Sequence, residues 1–178
     1  LEAAIQANAL YATLLPAYLT LGQAYQANGR VDEAMGALQT YTLYMPDDVE
    51  AMVVLGAAYN AREQYNSAVD ILSRAIALDD NHVEANYQRG SAYLALGLSD
   101  QALHDFKVAV GYDPKHFGAA VGLAQAYDLD GYSGTAYLKM EAALGLADTD
   151  EEKALCLYYE ALYLEKISKY DRPQEPVH

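Results

Sequence analysis

Cysteine is nearly missing: Cys156 is the only one in 178 residues. That excludes an internal disulfide framework and a cysteine-rich zinc site, and leaves the redox compartment open. Tryptophan is absent and phenylalanine occurs twice, so the aromatic content rests on 17 tyrosines. Long apolar runs are also missing. Although 53% of the residues are hydrophobic, no stretch approaches the roughly 20 uninterrupted apolar residues that cross a bilayer, and a soluble chain is expected, with its compartment unknown. Basic residues are scarce. The balance of 11 Lys and Arg against 25 Asp and Glu leaves a net charge of −14, which repels phosphate backbones and anionic headgroups. Nucleic acid and membranes are therefore not expected partners. The chain begins at Leu1 without a basic stretch followed by an apolar core, and it reads as a segment of something longer.

What is present is a period. Gly22, Gly56, Gly90 and Ala124 stand 34 residues apart, as do Tyr25, Tyr59, Tyr93 and Tyr127, and again Ala34, Ala68, Ala102 and Ala136. Leu21, Leu55, Arg89 and Leu123 form a further column, and Leu38, Leu72, Phe106 and Met140 another. Within each copy the apolar residues recur at spacings of three and four, the signature of one helix face. Glycine or alanine between two helices allows close approach, and tyrosine fills the gap beside it. The turns Asn28-Gly29-Arg30, Leu96-Gly97-Leu98 and Asp130-Gly131-Tyr132 supply the left-handed residue that ends a helix. Pro46 and Pro114, with the acidic turns Asp79-Asp80 and Asp148-Thr149-Asp150, stop the second helix and cap the next. The expected fold class is all-α, an array of antiparallel helix pairs.

These columns resemble the tetratricopeptide repeat family, whose 34-residue unit carries a large residue, Leu-Gly, Tyr, Ala, Phe, Ala and Pro at these offsets. The resemblance covers residues 15 to 150, divided as 15–48, 49–82, 83–116 and 117–150. It departs at Asn86 and Arg89, where large apolar residues are usual, at Asp80 and Asp148, where proline is usual, and at Glu63, which replaces the turn glycine. The resemblance implies a right-handed superhelical solenoid whose first helices line a concave groove. Residues 1–14 are expected to be the second helix of a partial preceding repeat, with Pro16 opening the next helix. Residues 151–170 are expected to form a terminal capping helix, and 171–178 a tail.

No catalytic constellation is apparent. His82 and His116 share one turn position a period apart, His104 falls on an exposed helix face, and His178 ends the chain. None has the spacing of a zinc motif, so no metal or cofactor is expected. The pairs Asp47-Asp48, Asp79-Asp80 and Glu151-Glu152 sit at helix starts, where capping explains them. Cys156 is expected to be a small buried hydrophobe. Arg89 stands at a packing position and needs a buried partner, for which Asp105 is the candidate.

The resemblance also locates groove-facing positions: Leu19, Gln23 and Gln26, then Val53 and Asn60, then Tyr87, Gln88 and Leu94, then Val121, Gln125 and Asp128. The family's carboxylate clamp for chaperone tails needs Lys, Asn and Arg here, and this chain offers Leu19, Gln23, Ala57, Tyr87 and Ser91 instead. A lining of amides and aliphatics with acidic edges suits a neutral-to-basic peptide or helical segment. The expected function is a non-enzymatic protein-interaction scaffold. Its alternatives are a structural oligomerisation module and a regulatory domain cut from a larger protein. The terminal helix is apolar around nearly its whole circumference, and Leu155, Tyr159, Leu162 and Tyr163 are its candidate contacts for a homo-oligomer.

Overall fold

A computed structural model describes the backbone of residues 2–170 and the side chains of residues 14–169. The expected tail lies outside the described residues. Within them the chain is entirely helical: α1 (Glu2–Ala27), α2 (Val31–Tyr44), α3 (Val49–Ala61), α4 (Tyr65–Leu78), α5 (Val83–Ala95), α6 (Ser99–Tyr112), α7 (Phe117–Leu129), α8 (Ser133–Leu144) and α9 (Asp150–Tyr170). Helices α2, α4, α6 and α8 begin at residues 31, 65, 99 and 133, so the period of the side chains is also the period of the backbone.

The turns follow from one backbone device. Gly29, Gly97 and Gly131 take φ of 70°, 76° and 87°, and Glu63 takes 58° at the equivalent position. In each turn the next amide reaches back to the tyrosine column: the N–H groups of Arg30, Gln64, Leu98 and Tyr132 donate to the carbonyls of Tyr25, Tyr59, Tyr93 and Tyr127, each at 2.9 Å. These bonds close a Schellman-type end. The opposite turns are capped by side chains. Asp48 Oδ1 accepts from the Ala51 amide (3.0 Å), and His82 and His116 Nδ1 accept from Ala85 and Ala119 (3.2 and 3.0 Å). The two histidines of the repeated turn are thus helix caps.

The chain forms two compact units, residues 1–92 and 93–178. In the first, Ala34, Leu38, Met52, Leu55, Ala58, Ala68, Leu72 and Ala75 form a core against which Tyr25, Tyr59 and Tyr65 pack. Asn86, 1% exposed, tethers the turn that lacks proline: its Nδ2 donates to the carbonyls of Asp80 and His82, both at 3.0 Å. Arg89 Nη1 donates to Ser73 Oγ at 3.1 Å. In the second unit Val121, Ala124, Ala136, Met140, Ala143, Cys156 and Tyr163 form the core. Asp105 lies buried on α6 of that unit. Cys156 is fully buried in that core, and burial, with the charges of Glu160 and Glu152 adding to it, pushes its thiol up, away from the thiolate that reacts.

One expected boundary is absent. Instead of a separate helix over residues 1–14 and a turn before Pro16, α1 runs unbroken through Pro16. A proline inside a helix forfeits one hydrogen bond, but residues 10–15 (Leu-Tyr-Ala-Thr-Leu-Leu) contain neither glycine nor an acidic cap to end it. Alanines 3, 4, 7, 9 and 12 favour continuation.

Candidate functional site

In the first unit the groove-facing positions fall on α1, α3 and α5. Leu19 is half-buried against the core, Gln23 is exposed, and Gln26 is half-buried. Val53 is 3% exposed and belongs to the core, so the surface here is carried by its polar neighbours. The Asn60 and Gln88 amides are engaged with each other. Asn60 Nδ2 donates to Gln88 O (2.8 Å) and Oε1 (3.0 Å), and Gln88 Nε2 donates to Glu84 Oε1 (2.7 Å). This chain ties α3 to α5 and leaves Asn60 Oδ1 buried without a hydrogen-bond partner. Beside it Tyr87 is half-buried, and burial together with the charge of Glu84 pushes its phenol up.

A second concavity in this unit was not signalled by the groove positions. It encloses about 470 Å³ and is lined by Gln39, Pro46, Tyr59, Asp70 and Arg74 among others. Gln39 Nε2 donates to Tyr59 Oη at 2.9 Å across it.

In the second unit Val121 is 6% exposed and packs in the core, while Gln125 and Asp128 reach a pocket of about 330 Å³. Leu94, Leu129, Tyr159 and Tyr163 complete its lining. Ser133 Oγ donates to Asp128 Oδ1 at 2.9 Å, and Lys166 of α9 forms an ion pair with Asp128 Oδ2. The Tyr159 and Tyr163 rings stack with centroids 6.0 Å apart. Tyr163 is 1% exposed and its hydroxyl has no hydrogen-bond partner. Burial, with the neighbouring Asp128 charge and Tyr159, holds that phenol far above its ordinary value.

The α9 positions therefore divide differently from the sequence expectation. Leu155 is exposed, but Tyr159, Leu162 and Tyr163 pack toward the core of their unit. The bare apolar face is carried instead by Leu157, Tyr158 and Leu164, at 53%, 61% and 50% exposure. The period contained the signal: Tyr159 lies 34 residues after Gln125, and Tyr163 the same distance after Leu129. Continuing the groove count one helix further, from Gln125, brings Tyr159 to the lining; Tyr163 follows Leu129, which lines the pocket but was not among the counted groove positions.

Among the described residues no group of three or more His, Cys, Asp or Glu could hold a metal ion, and no helix is long and apolar enough to cross a membrane. Helix pairs of constant length, joined by repeated turns and packed through small residues, define the class of all-α helical-repeat proteins. Comparison narrows this. Residues 16–47 and 87–151 match family models described as "Tetratricopeptide repeat", and residues 56–97 match one described as "TPR repeat". The chain belongs to the tetratricopeptide repeat family.

Solved structures agree on the fold. The crystal structure of MamA matches with a TM-score of 0.68 at 27% identity, covering 79% of this chain and 80% of that one. TTC0263, a thermophilic TPR protein of Thermus thermophilus, matches with a TM-score of 0.72 at 23% identity, covering 88% and 84%. MamA from residue 41 to its end, from Desulfovibrio magneticus RS-1, gives 0.70 at 20% identity, covering 89% and 97%. No curated protein sequence matches significantly. The fold is that of protein-interaction scaffolds, a family that is generally non-enzymatic.

Proposed function

We propose that this chain is a non-enzymatic scaffold that receives a peptide or helical segment of a partner protein on its first-helix faces. These are α1, α3 and α5 in the first unit, and α7 with α9 in the second. The pocket bounded by Gln125, Asp128, Tyr159 and Tyr163 carries the reading. It presents an amide, a carboxylate and two aromatic rings in one lining, which can orient a segment without transforming it. The net charge of −14 favours a neutral-to-basic segment through electrostatic steering.

Site-specific photo-crosslinking tests this. A benzophenone amino acid at Gln23 or Gln125 is expected to capture one and the same partner from native extract. The same probe at Leu138, exposed on α8, is expected not to capture it. Equal capture from all three positions, or capture only from Leu138, overturns the proposal.

A second reading, self-association, is favoured by the bare face of α9. Its occupant would be a second copy packed antiparallel about a two-fold axis. That arrangement sets the acidic first turn of one α9 (Asp150, Glu151, Glu152) against the lysine-bearing end of the other, where Lys169 stands. Light scattering should then show a concentration-dependent dimer that Leu157→Glu abolishes. A strict monomer at all concentrations removes this reading.

A further inference from the structure

The pocket between α7 and α9 already contains a cation, and that cation belongs to the chain itself. Lys166 pairs with Asp128 Oδ2, and its Nζ lies 6.0 Å from the centroid of the Tyr163 ring. The two members of the pair differ in exposure. Asp128 has only 17% of its side chain exposed and is held by Ser133 through its other oxygen, whereas 47% of the Lys166 side chain is exposed. The carboxylate is thus preorganised, and the lysine is the more exposed partner of the pair. An ion pair with one such partly exposed member contributes little, about 0–1 kcal/mol at a surface.

The remaining walls fit the same ligand chemistry. The Tyr163 hydroxyl is buried and has no hydrogen-bond partner, an unmet acceptor on a residue that lines the pocket. Tyr159 stacks beside Tyr163 and lines the same pocket. Leu94 and Leu129 line the same pocket and can cover an aliphatic stem.

We propose that this pocket is a subsite for a lysine side chain of the bound segment, and that Lys166 is its built-in competitor. The proposal rests on the scaffold reading above and specifies the chemistry recognised at one position of it. The incoming ammonium displaces Lys166 from Asp128, so occupancy of the subsite requires the α9 arm to swing into solvent. Charge balance is preserved, because one ammonium replaces another on the same carboxylate.

The test uses the full chain, Nα-acetyl-lysine amide as probe and Nα-acetyl-norleucine amide as its uncharged isostere, with isotope-labelled tyrosine rings followed by NMR. Saturable shifts of the Tyr159 and Tyr163 rings are expected with the lysine probe and not with norleucine. Lys166→Gln is expected to tighten the lysine probe about fivefold, the advantage an ion pair near the top of the surface range would confer. Asp128→Asn is expected to weaken it at least ~10-fold, as loss of a charge-assisted contact does. Lys166→Gln alters an exposed side chain and keeps the fold, so it decides the matter even if Asp128→Asn unfolds. Equal shifts from norleucine, or no tightening in Lys166→Gln, overturn the subsite. If the probe fails while the Gln23 and Gln125 crosslinks persist, the subsite falls and the scaffold reading stands. If the crosslinks fail while the probe binds, the reverse holds.

Discussion

Gly56 has no room for a side chain because Leu72 occupies it: a Cβ on Gly56 would lie 2.5 Å from Leu72 Cγ and 2.6 Å from Cδ2. The same relation holds one period earlier, where a Cβ on Gly22 would meet Leu38 Cγ at 2.5 Å. Both leucines are fully buried. In these two repeats the glycine is therefore a socket for the leucine 16 residues on, and it fixes the approach of the two helices in the pair.

Gly56→Ala should accordingly destabilise the chain by about 1–3 kcal/mol, the usual cost of overpacking a filled core. Chemical denaturation measures it. Combining it with Leu72→Ala should cost less than the sum of the two single changes, because the smaller side chain vacates the socket. Strict additivity would show that the close approach carries no strain on substitution.

Glu63 at φ 58° occupies the position that glycine holds in the other three turns. A side chain in the left-handed region costs roughly 1–2 kcal/mol, against which glycine loses some entropy on folding. Glu63→Gly should raise stability by about 0.5–1 kcal/mol. Gly97→Ala, the converse change, should lower it by a similar amount, and a thermal melt of each variant reads both signs.

Two carboxylates on α9 titrate in opposite directions. Glu152 Oε2 accepts from the Asp148 and Thr149 amides at 2.9 and 3.0 Å, while Thr149 Oγ1 accepts from the Glu152 amide at 3.2 Å. This capping box holds the Glu152 carboxyl below 4.5. Its contribution is complete above pH 4.5 and is lost as pH falls through the lowered value. Burial and the charge of Glu141 push Glu160 the other way, above 4.5. That group favours the folded state below pH 4.5, and the advantage disappears as pH rises through its raised value. Glu160→Gln should thus raise the melting temperature at pH 7, with the gain shrinking toward zero as pH approaches 4.5. Thr149→Ala should lower it, costing about 0.5–2 kcal/mol as a lost cap. A flat difference between Glu160→Gln and the parent chain across this pH range would refute the assignment.

Much of the fold was legible because its rules are local. The tyrosine, glycine and alanine columns lie within single helix pairs, and the turn at Gly29, Gly97 or Gly131 depends on one backbone dihedral. Groove positions were less legible. A first helix in a repeat array packs against its own partner and also against its neighbours, so counting along it did not separate Val53 and Val121, which are buried, from Gln23 and Gln125. The start of α1 was misread because a proline outweighed the run of alanines around it.

Period, helix identity, turn type and acidity were settled by the order of residues alone, since spacing, a left-handed dihedral and formal charge need no knowledge of what lies far away in the chain. The tertiary structure alone decided which face of α9 turns inward, and so whether Tyr159 and Tyr163 are surface or pocket. It also decided that Lys166 meets Asp128, 38 residues earlier. Such pairings depend on how helices pack in space, and a nearly all-apolar helix carries no pattern strong enough to choose its own buried side.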